Sequence, residues 1–236
     1  MSDFDLLQCL YPNKCAGCDE IIKPGRALCD YCAVKINNVK YDNVCPECGV
    51  EKDFCLCKSR AYHFKGVLGA YKNEGVARKA YYSYKMGRRD FLAGYFADRI
   101  ARAVKTVFAG LEFDAVCCVP TARRSYFKRG FDHNGKISAK LAENLGVPLL
   151  TDVLKARHLR PLQHRSSLSK RLANVRGKYY TVKRVNAESV LLFDDIFTTG
   201  ATLDECAKEL MFAGVRQVYC ASVLITYPSK KQNGEK

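Results

Sequence analysis

The stretch Val190-Leu191-Leu192-Phe193-Asp194-Asp195-Ile196-Phe197-Thr198-Thr199-Gly200-Ala201-Thr202-Leu203 decides the fold class. Its four leading apolar residues predict a buried strand, because a strand covered on both faces shows a continuous run rather than alternation. Asp194 and Asp195 stand where that strand is expected to end. A Thr/Gly-rich turn follows, and then Leu203, Ala207, Leu210 and Met211 recur at helical spacing. In open parallel sheets ligands bind beyond the carboxyl ends of strands. The free N–H groups that open the next helix are suited to an anion. The hydroxyls of Thr198, Thr199 and Thr202 lie beside Gly200, where backbone can approach closely, and together they suit a phosphate. Two carboxylates would repel phosphate but accept charge-assisted hydrogen bonds from sugar hydroxyls. The combination describes a ribose 5-phosphate site.

This run closely resembles the phosphoribosyl pyrophosphate (PRPP) signature of type I phosphoribosyltransferases. The resemblance implies an α/β fold, a type I phosphoribosyltransferase-like parallel sheet with flanking helices. It implies that Asp194 and Asp195 are catalytic and hold the ribose hydroxyls. Thr198, Thr199, Gly200, Ala201 and Thr202 would grip the 5-phosphate. Mg²⁺ would accompany PRPP and bridge its oxygens, in line with the preference of that ion for phosphate oxygens.

With 236 residues, 48% of them hydrophobic, the chain can build one full α/β domain and a small module. The expected division is a Cys-rich module over 1–60, the α/β domain over 61–228 and a polar tail over 229–236. No transmembrane span or signal peptide is legible, which makes the cytoplasm the expected location. The formal net charge of +15 points to polyanionic partners.

Thirteen cysteines in a cytoplasmic chain suggest metal. Nine lie in the first 57 residues, eight of them in close pairs: Cys15/Cys18, Cys29/Cys32, Cys45/Cys48 and Cys55/Cys57. Each tight turn points two thiolates at one tetrahedral ion, so eight ligands supply two structural zinc sites. Sequential pairing joins Cys15, Cys18, Cys29 and Cys32, then Cys45, Cys48, Cys55 and Cys57. Cross-brace pairing also satisfies the spacing, and the sequential form is favoured because its loops are shorter to close. Cys9 stays outside this scheme. Cys117, Cys118, Cys206 and Cys220 are expected to be small buried hydrophobes. Residues 1–58 carry seven Lys/Arg against nine Asp/Glu, which argues against the module as the main phosphate-binding face.

Between the module and the acid pair, Gly66–Tyr71 predicts a strand and a short helix follows Gly75, broken by Tyr84–Arg89. Leu92, Phe96, Ile100, Val104 and Phe108 mark one face of a helix over about 90–108. Asp114–Pro120 predicts the next buried strand, with a basic loop beyond it. That loop leaves the carboxyl end of a strand and should face the crevice of Asp194. Type I phosphoribosyltransferases place their pyrophosphate loop after an equivalent strand, so Thr121, Arg123 and Arg124 are the pyrophosphate-binding candidates. Ile137, Leu141 and Leu145 then step along a helix that Gly146 ends.

Lys155 to Arg184 holds ten Lys/Arg and no acidic residue. A Pro- and Ser-containing loop is expected to lead into a short helix near 170–175, with a short strand at Tyr179, Tyr180 and Val182. The segment suits a mobile loop closing over PRPP. It equally suits a track for single-stranded DNA, with bases stacking on the tyrosines. Arg165, Lys170, Arg171 and Arg176 are the nucleic-acid-binding candidates.

A Cys-rich N-terminus, the Val119-Pro120 strand end, Lys128-Arg129-Gly130-Phe131-Asp132-His133-Asn134, Arg160-Pro161-Leu162-Gln163 and the Phe193–Thr202 run occur in that order. In this the chain resembles the ComF family of competence proteins over essentially its whole length. Members more typically have Arg-Gly-Phe-Asn-Gln where this chain has Arg129-Gly130-Phe131-Asp132-His133. The resemblance implies natural transformation, with incoming single-stranded DNA handled on the cytoplasmic side and PRPP as bound ligand. DNA-uptake helicase or recombination proteins are the implied partners. The alternative is a salvage or biosynthetic phosphoribosyltransferase, in which a nitrogen base displaces pyrophosphate from C1 of PRPP.

Overall fold

The computed structural model describes residues 12–55, 57, 62–87, 89–121, 130–157 and 175–227. Five parallel strands form the central sheet: β1 (Gly66–Lys72), β2 (Ala115–Cys118), β3 (Leu149–Leu150), β6 (Ala187–Phe197) and β7 (Val215–Ile225). Their spatial order is β1-β7-β6-β2-β3. A separate antiparallel hairpin pairs β4 (Leu154–Ala156) with β5 (Tyr179–Thr181). The helices are α1 (Asp30–Lys35), α2 (Gly75–Gly87), α3 (Leu92–Val107), α4 (His133–Leu145) and α5 (Ala201–Phe212). A parallel sheet with flanking helices, preceded by two cysteine clusters, is the architecture implied above.

Alternation along β6 divides the core into two. Leu191 and Phe193 face α2, α3 and α4 in one cluster with Tyr81, Phe96, Ile100 and Leu141. Val190 and Leu192 face α5 and the hairpin in another with Leu203, Cys206, Leu210 and Tyr179. Leu92, Phe96, Ile100 and Val104 on α3 are buried, as their spacing predicts, and Phe108 is buried just past the helix end. α4 ends at Gly146, whose φ of 73° lets its N–H close on the carbonyls of Ala142 and Glu143. Gly69 is required for close packing, because a Cβ there would lie 2.5 Å from Cβ of Ile225 on the neighbouring strand β7.

Two expectations about element ends are corrected. β6 does not stop at the acid pair; it pairs with β7 as far as Phe197 and Ile225. Nor does α2 break at Tyr84: it runs to Gly87, because Tyr81 and Tyr84 are fully buried on its inner face. That burial outweighs the local signal from Met86, Gly87 and the arginines that follow. The helix expected near 170–175 falls mostly outside the described residues, and Val175–Gly177 is a turn.

The cysteine-rich segments straddle the edge strand β1. Cys15, Leu28, Cys32 and Ile36 join the first core, whereas Cys48 and Val50 join the second. The chain between them closes the open edge of β1. Lys72 N–H donates to Asn37 O at 2.8 Å, Val39 N–H to Ala70 O at 3.3 Å and Val67 N–H to Pro46 O at 3.3 Å. Among the described residues no helix is long and apolar enough to cross a membrane.

Candidate functional site

The acid pair lies near the carboxyl end of β6, with Asp194 opposite Ser222 of β7 and Phe193 opposite Cys118, the last residue of β2. Beyond β2 the chain makes one more contact, Val119 N–H to Phe193 O at 2.9 Å, and then leaves the sheet at Pro120. It returns through Gly130, with φ of 77°, and Phe131, whose buried ring packs edge-on to Tyr84. Asp132 caps α4 by accepting from Gly135 N–H at 3.1 Å and also accepts from the Thr121 hydroxyl at 2.7 Å. The cap turns His133 and Asn134, the first two residues of α4, onto the acids.

Asn134 Nδ2 donates to Asp194 Oδ1 at 3.2 Å and to the carbonyl of Val119 at 3.3 Å, tying the β2 loop to the acid. Asp195 N–H also donates to Asp194 Oδ1, at 2.9 Å. Asp195 Oδ2 is crowded by three groups: the Tyr81 hydroxyl at 3.0 Å, His133 Nε2 at 3.3 Å and the Lys85 ammonium. Its Oδ1 accepts Ile196 N–H at 2.9 Å. His133 Nδ1 and Asn134 Oδ1 are buried and have no hydrogen-bond partner among the described residues. Hydrogen-bonding capacity is thus unspent beside the acids.

Burial and the neighbouring Asp195 charge push the Asp194 carboxyl well above the usual range. Burial also opposes ionisation of Asp195, but His133 and Lys85 outweigh it and hold that carboxyl below the usual range. Burial beside Asp195 raises the Tyr81 phenol well above its ordinary value, so it is a hydrogen-bond donor. One neutral-leaning and one charged carboxyl therefore stand side by side.

The turn after β6 has Thr198 exposed and Thr199 and Thr202 partly exposed. Gly200 adopts φ of 70°, and a Cβ there would come within 3.0 Å of the Phe197 and Tyr62 rings. It opens α5 with no side-chain cap of its own, and the Thr199 hydroxyl accepts from the first helical amide, Ala201 N–H, at 3.4 Å. Thr121 is partly buried and bonded to Asp132; Arg123 and Arg124 lie outside the described residues. Arg176 is exposed on the turn before β5, whereas Arg165, Lys170 and Arg171 lie outside the described residues.

Sequence reasoning missed Lys85 and Tyr81 and gave His133 and Asn134 no part beside the acids. Tyr81 and Lys85 stand four apart on one helical face, a spacing that by itself marks no site.

The eight paired thiols gather sequentially as Cys15, Cys18, Cys29, Cys32 and as Cys45, Cys48, Cys55, Cys57, with every ligand atom of a group within 4.8 Å of the others. Sulfur separations of 3.7 Å for Cys18–Cys29 and Cys48–Cys55, and 3.8 Å for Cys45–Cys57, match the edge of a tetrahedron. With zinc–sulfur bonds of about 2.3 Å that edge is about 3.8 Å. Both groups therefore fit zinc, and the amides of Gly17 and Cys29 donate to Cys15 Sγ at 3.4 and 3.3 Å. Of the remaining thiols, Cys117, Cys206 and Cys220 are buried as expected but Cys118 is only partly buried; burial pushes Cys117 and Cys118 up to about 12, in keeping with unreactive thiols.

Residues 6–62 match the double zinc ribbon domain family. The chain is similar to competence protein F of Haemophilus influenzae, 25% identical over 92% of this chain and 96% of that protein. It is similar to competence protein ComFC of Streptococcus pneumoniae, 26% identical over 84% of this chain and 87% of that one. DNA utilization protein YhgH of Salmonella typhimurium is 23% identical over 82% and 88% of the two chains. Among solved structures, adenine phosphoribosyltransferase from Saccharomyces cerevisiae superposes with a TM-score of 0.38 at 14% identity, covering 59% of this chain and 72% of that one.

Proposed function

We propose, from the premise that this chain is a homologue of competence protein F, ComFC and YhgH with a double zinc ribbon at its N-terminus, that it binds PRPP and single-stranded DNA in DNA uptake. Its place is the cytoplasmic side, where incoming single strands are handed to helicase or recombination proteins. The observation that supports the PRPP half is the acid pair beside the start of α5, with unspent polar atoms on His133 and Asn134. Asp194 and Asp195 hold the ribose hydroxyls, and Thr198 to Thr202 hold the 5-phosphate through hydroxyls and amides. The loop that begins at Thr121, with Arg123 and Arg124, takes the pyrophosphate. Oxygens of Asp194 and Asp195 left free of internal partners would hold Mg²⁺, which would supply positive charge to offset the pyrophosphate.

The DNA half rests on the ten cations between Lys155 and Arg184. Arg157 lies over the partly exposed Tyr180 ring at 5.1 Å, whereas the expectation that bases also stack on Tyr179 is corrected, because that ring is buried in the core against α5. Cations interleaved with aromatics suit a backbone-tracking, base-stacking surface.

Thermal melting with PRPP and Mg²⁺ tests the first half. A ligand at a hundredfold its Kd adds about 2.7 kcal/mol. For a chain of this size that raises Tm by roughly 5–11 °C. Asp194→Asn and Asp195→Asn should each remove the shift. No shift in the unmodified protein discards the PRPP assignment.

A further inference from the structure

We propose that Lys85 is the charge-balancing residue of this site: its ammonium cancels Asp195 so that a polyanionic sugar phosphate can lie against two carboxylates. The inference rests on the PRPP reading above and adds a residue from α2, an element outside the signature run.

Three features carry it. First, the donors are unevenly distributed. Tyr81, Lys85 and His133 all converge on Asp195 Oδ2. Among the described residues, Asp195 Oδ1 receives the Ile196 amide and Asp194 Oδ1 receives Asn134 and the Asp195 amide. A carboxylate oxygen has two lone-pair directions, so Asp195 Oδ1 and Asp194 Oδ2 keep acceptor capacity for ribose hydroxyls. Lys85 therefore has no need to leave when a diol binds.

Second, the pair is withdrawn from water but not sealed. The side chains of Lys85 and Asp195 are 20% and 16% exposed. At that depth solvent screens poorly, and an unbalanced Asp195 charge would repel phosphate strongly.

Third, Lys85 is held from behind. Tyr84 donates to the His133 carbonyl at 2.9 Å, joining α2 to the start of α4. Just past α2, Arg89 donates to the carbonyls of Lys14 and Cys15 at 3.4 and 3.3 Å and to Asp19 Oδ1 at 2.7 Å. The first zinc ribbon thus anchors the end of the helix that carries Lys85. Such anchoring suits a fixed counter-charge better than a side chain that swings away.

The test is calorimetric titration of the full, zinc-loaded chain with PRPP and Mg²⁺ at low and high ionic strength. Unmodified protein, Lys85→Gln and Lys85→Arg are compared. Loss of one unit charge at this depth should weaken PRPP about 10- to 100-fold. It should also flatten the dependence of Kd on salt, which a purely structural defect would leave unchanged. Lys85→Arg should recover binding to within about threefold of the unmodified protein, because the charge is kept. If Lys85→Gln does not fold, Nε-acetyl-lysine at position 85 removes the charge while keeping the stem and an N–H donor, with the same expected losses. Unmodified protein that binds PRPP while the neutral variants bind it equally well or more tightly overturns the role of Lys85 alone. Unmodified protein that binds no PRPP overturns the PRPP reading and this proposal with it.

Discussion

Neutralising the two adjacent acids should move stability in opposite directions. In Asp195→Asn, the Lys85 ammonium loses its partner at 20% exposure, and the amide can present only one oxygen to Tyr81, His133 and the Ile196 N–H. Breaking a buried ion pair from one side costs about 3–5 kcal/mol. At about 2–4 °C per kcal/mol for a chain of this length, Tm falls by roughly 6–20 °C. In Asp194→Asn the new side-chain oxygen still accepts from Asn134 and the Asp195 amide, and the cost of keeping a buried carboxyl protonated beside Asp195 disappears. Removing such a conflict adds about 1–2 kcal/mol, so Tm rises by roughly 2–8 °C. The pH signs separate the two further. The Asp194 carboxyl is raised in the fold, so its charge destabilises as pH climbs above the unfolded carboxylate value, and the gain in Asp194→Asn shrinks as pH falls toward about 4. The Asp195 carboxyl is depressed, so its contribution is complete above the unfolded value and is lost only as pH drops through the folded one. Its substitution penalty therefore persists at pH 5 and shrinks only in stronger acid. Calorimetric melts of both zinc-loaded variants at pH 7 and pH 5, without ligand, provide the measurement. An Asp194→Asn variant that is destabilised as much as Asp195→Asn would falsify the asymmetric picture of the pair.

Metal analysis should return two zinc ions per chain, falling to one in Cys48→Ser; one zinc in the unmodified chain means that one thiol cluster serves another purpose. Gly69→Ala places a Cβ 2.5 Å from Cβ of Ile225, so the β1–β7 pair must spread. It should cost about 1–3 kcal/mol, read as a lower urea midpoint at unchanged m-value; an unshifted midpoint refutes tight strand packing there. Binding of a labelled single strand should fall steeply with salt. Neutralising Arg165, Lys170, Arg171 and Arg176 together should flatten that dependence, and full retention of binding removes the 155–184 segment as the DNA face.

The cysteine clusters were legible because ligand spacing is a local property. Short loops favoured sequential pairing, and the thiols gather that way. Val190–Phe193 announced a doubly covered strand for the same local reason. Lys85 escaped notice because its partner lies 110 residues away. Nothing in Tyr81-x-x-x-Lys85 distinguishes a site-facing stripe from an ordinary half-polar helix until α2 is seen against the acids. The supposed break at Tyr84–Arg89 failed similarly: glycine and arginines argued for a turn, but two buried tyrosines carried the helix on to Gly87. His133 and Asn134 were visible as part of a motif, yet their contact with the acids depends on the turn that Asp132 caps.

The way the ribbons seal β1 links folding quality to trace-metal supply. A nascent chain deprived of zinc would present the unguarded rim of a parallel sheet, with the amides of Val67 and Lys72 lacking the carbonyls they now meet. Such a rim recruits strands from other molecules. Cells short of the metal should therefore accumulate this polypeptide in insoluble deposits rather than as an intact apo-protein awaiting its ion.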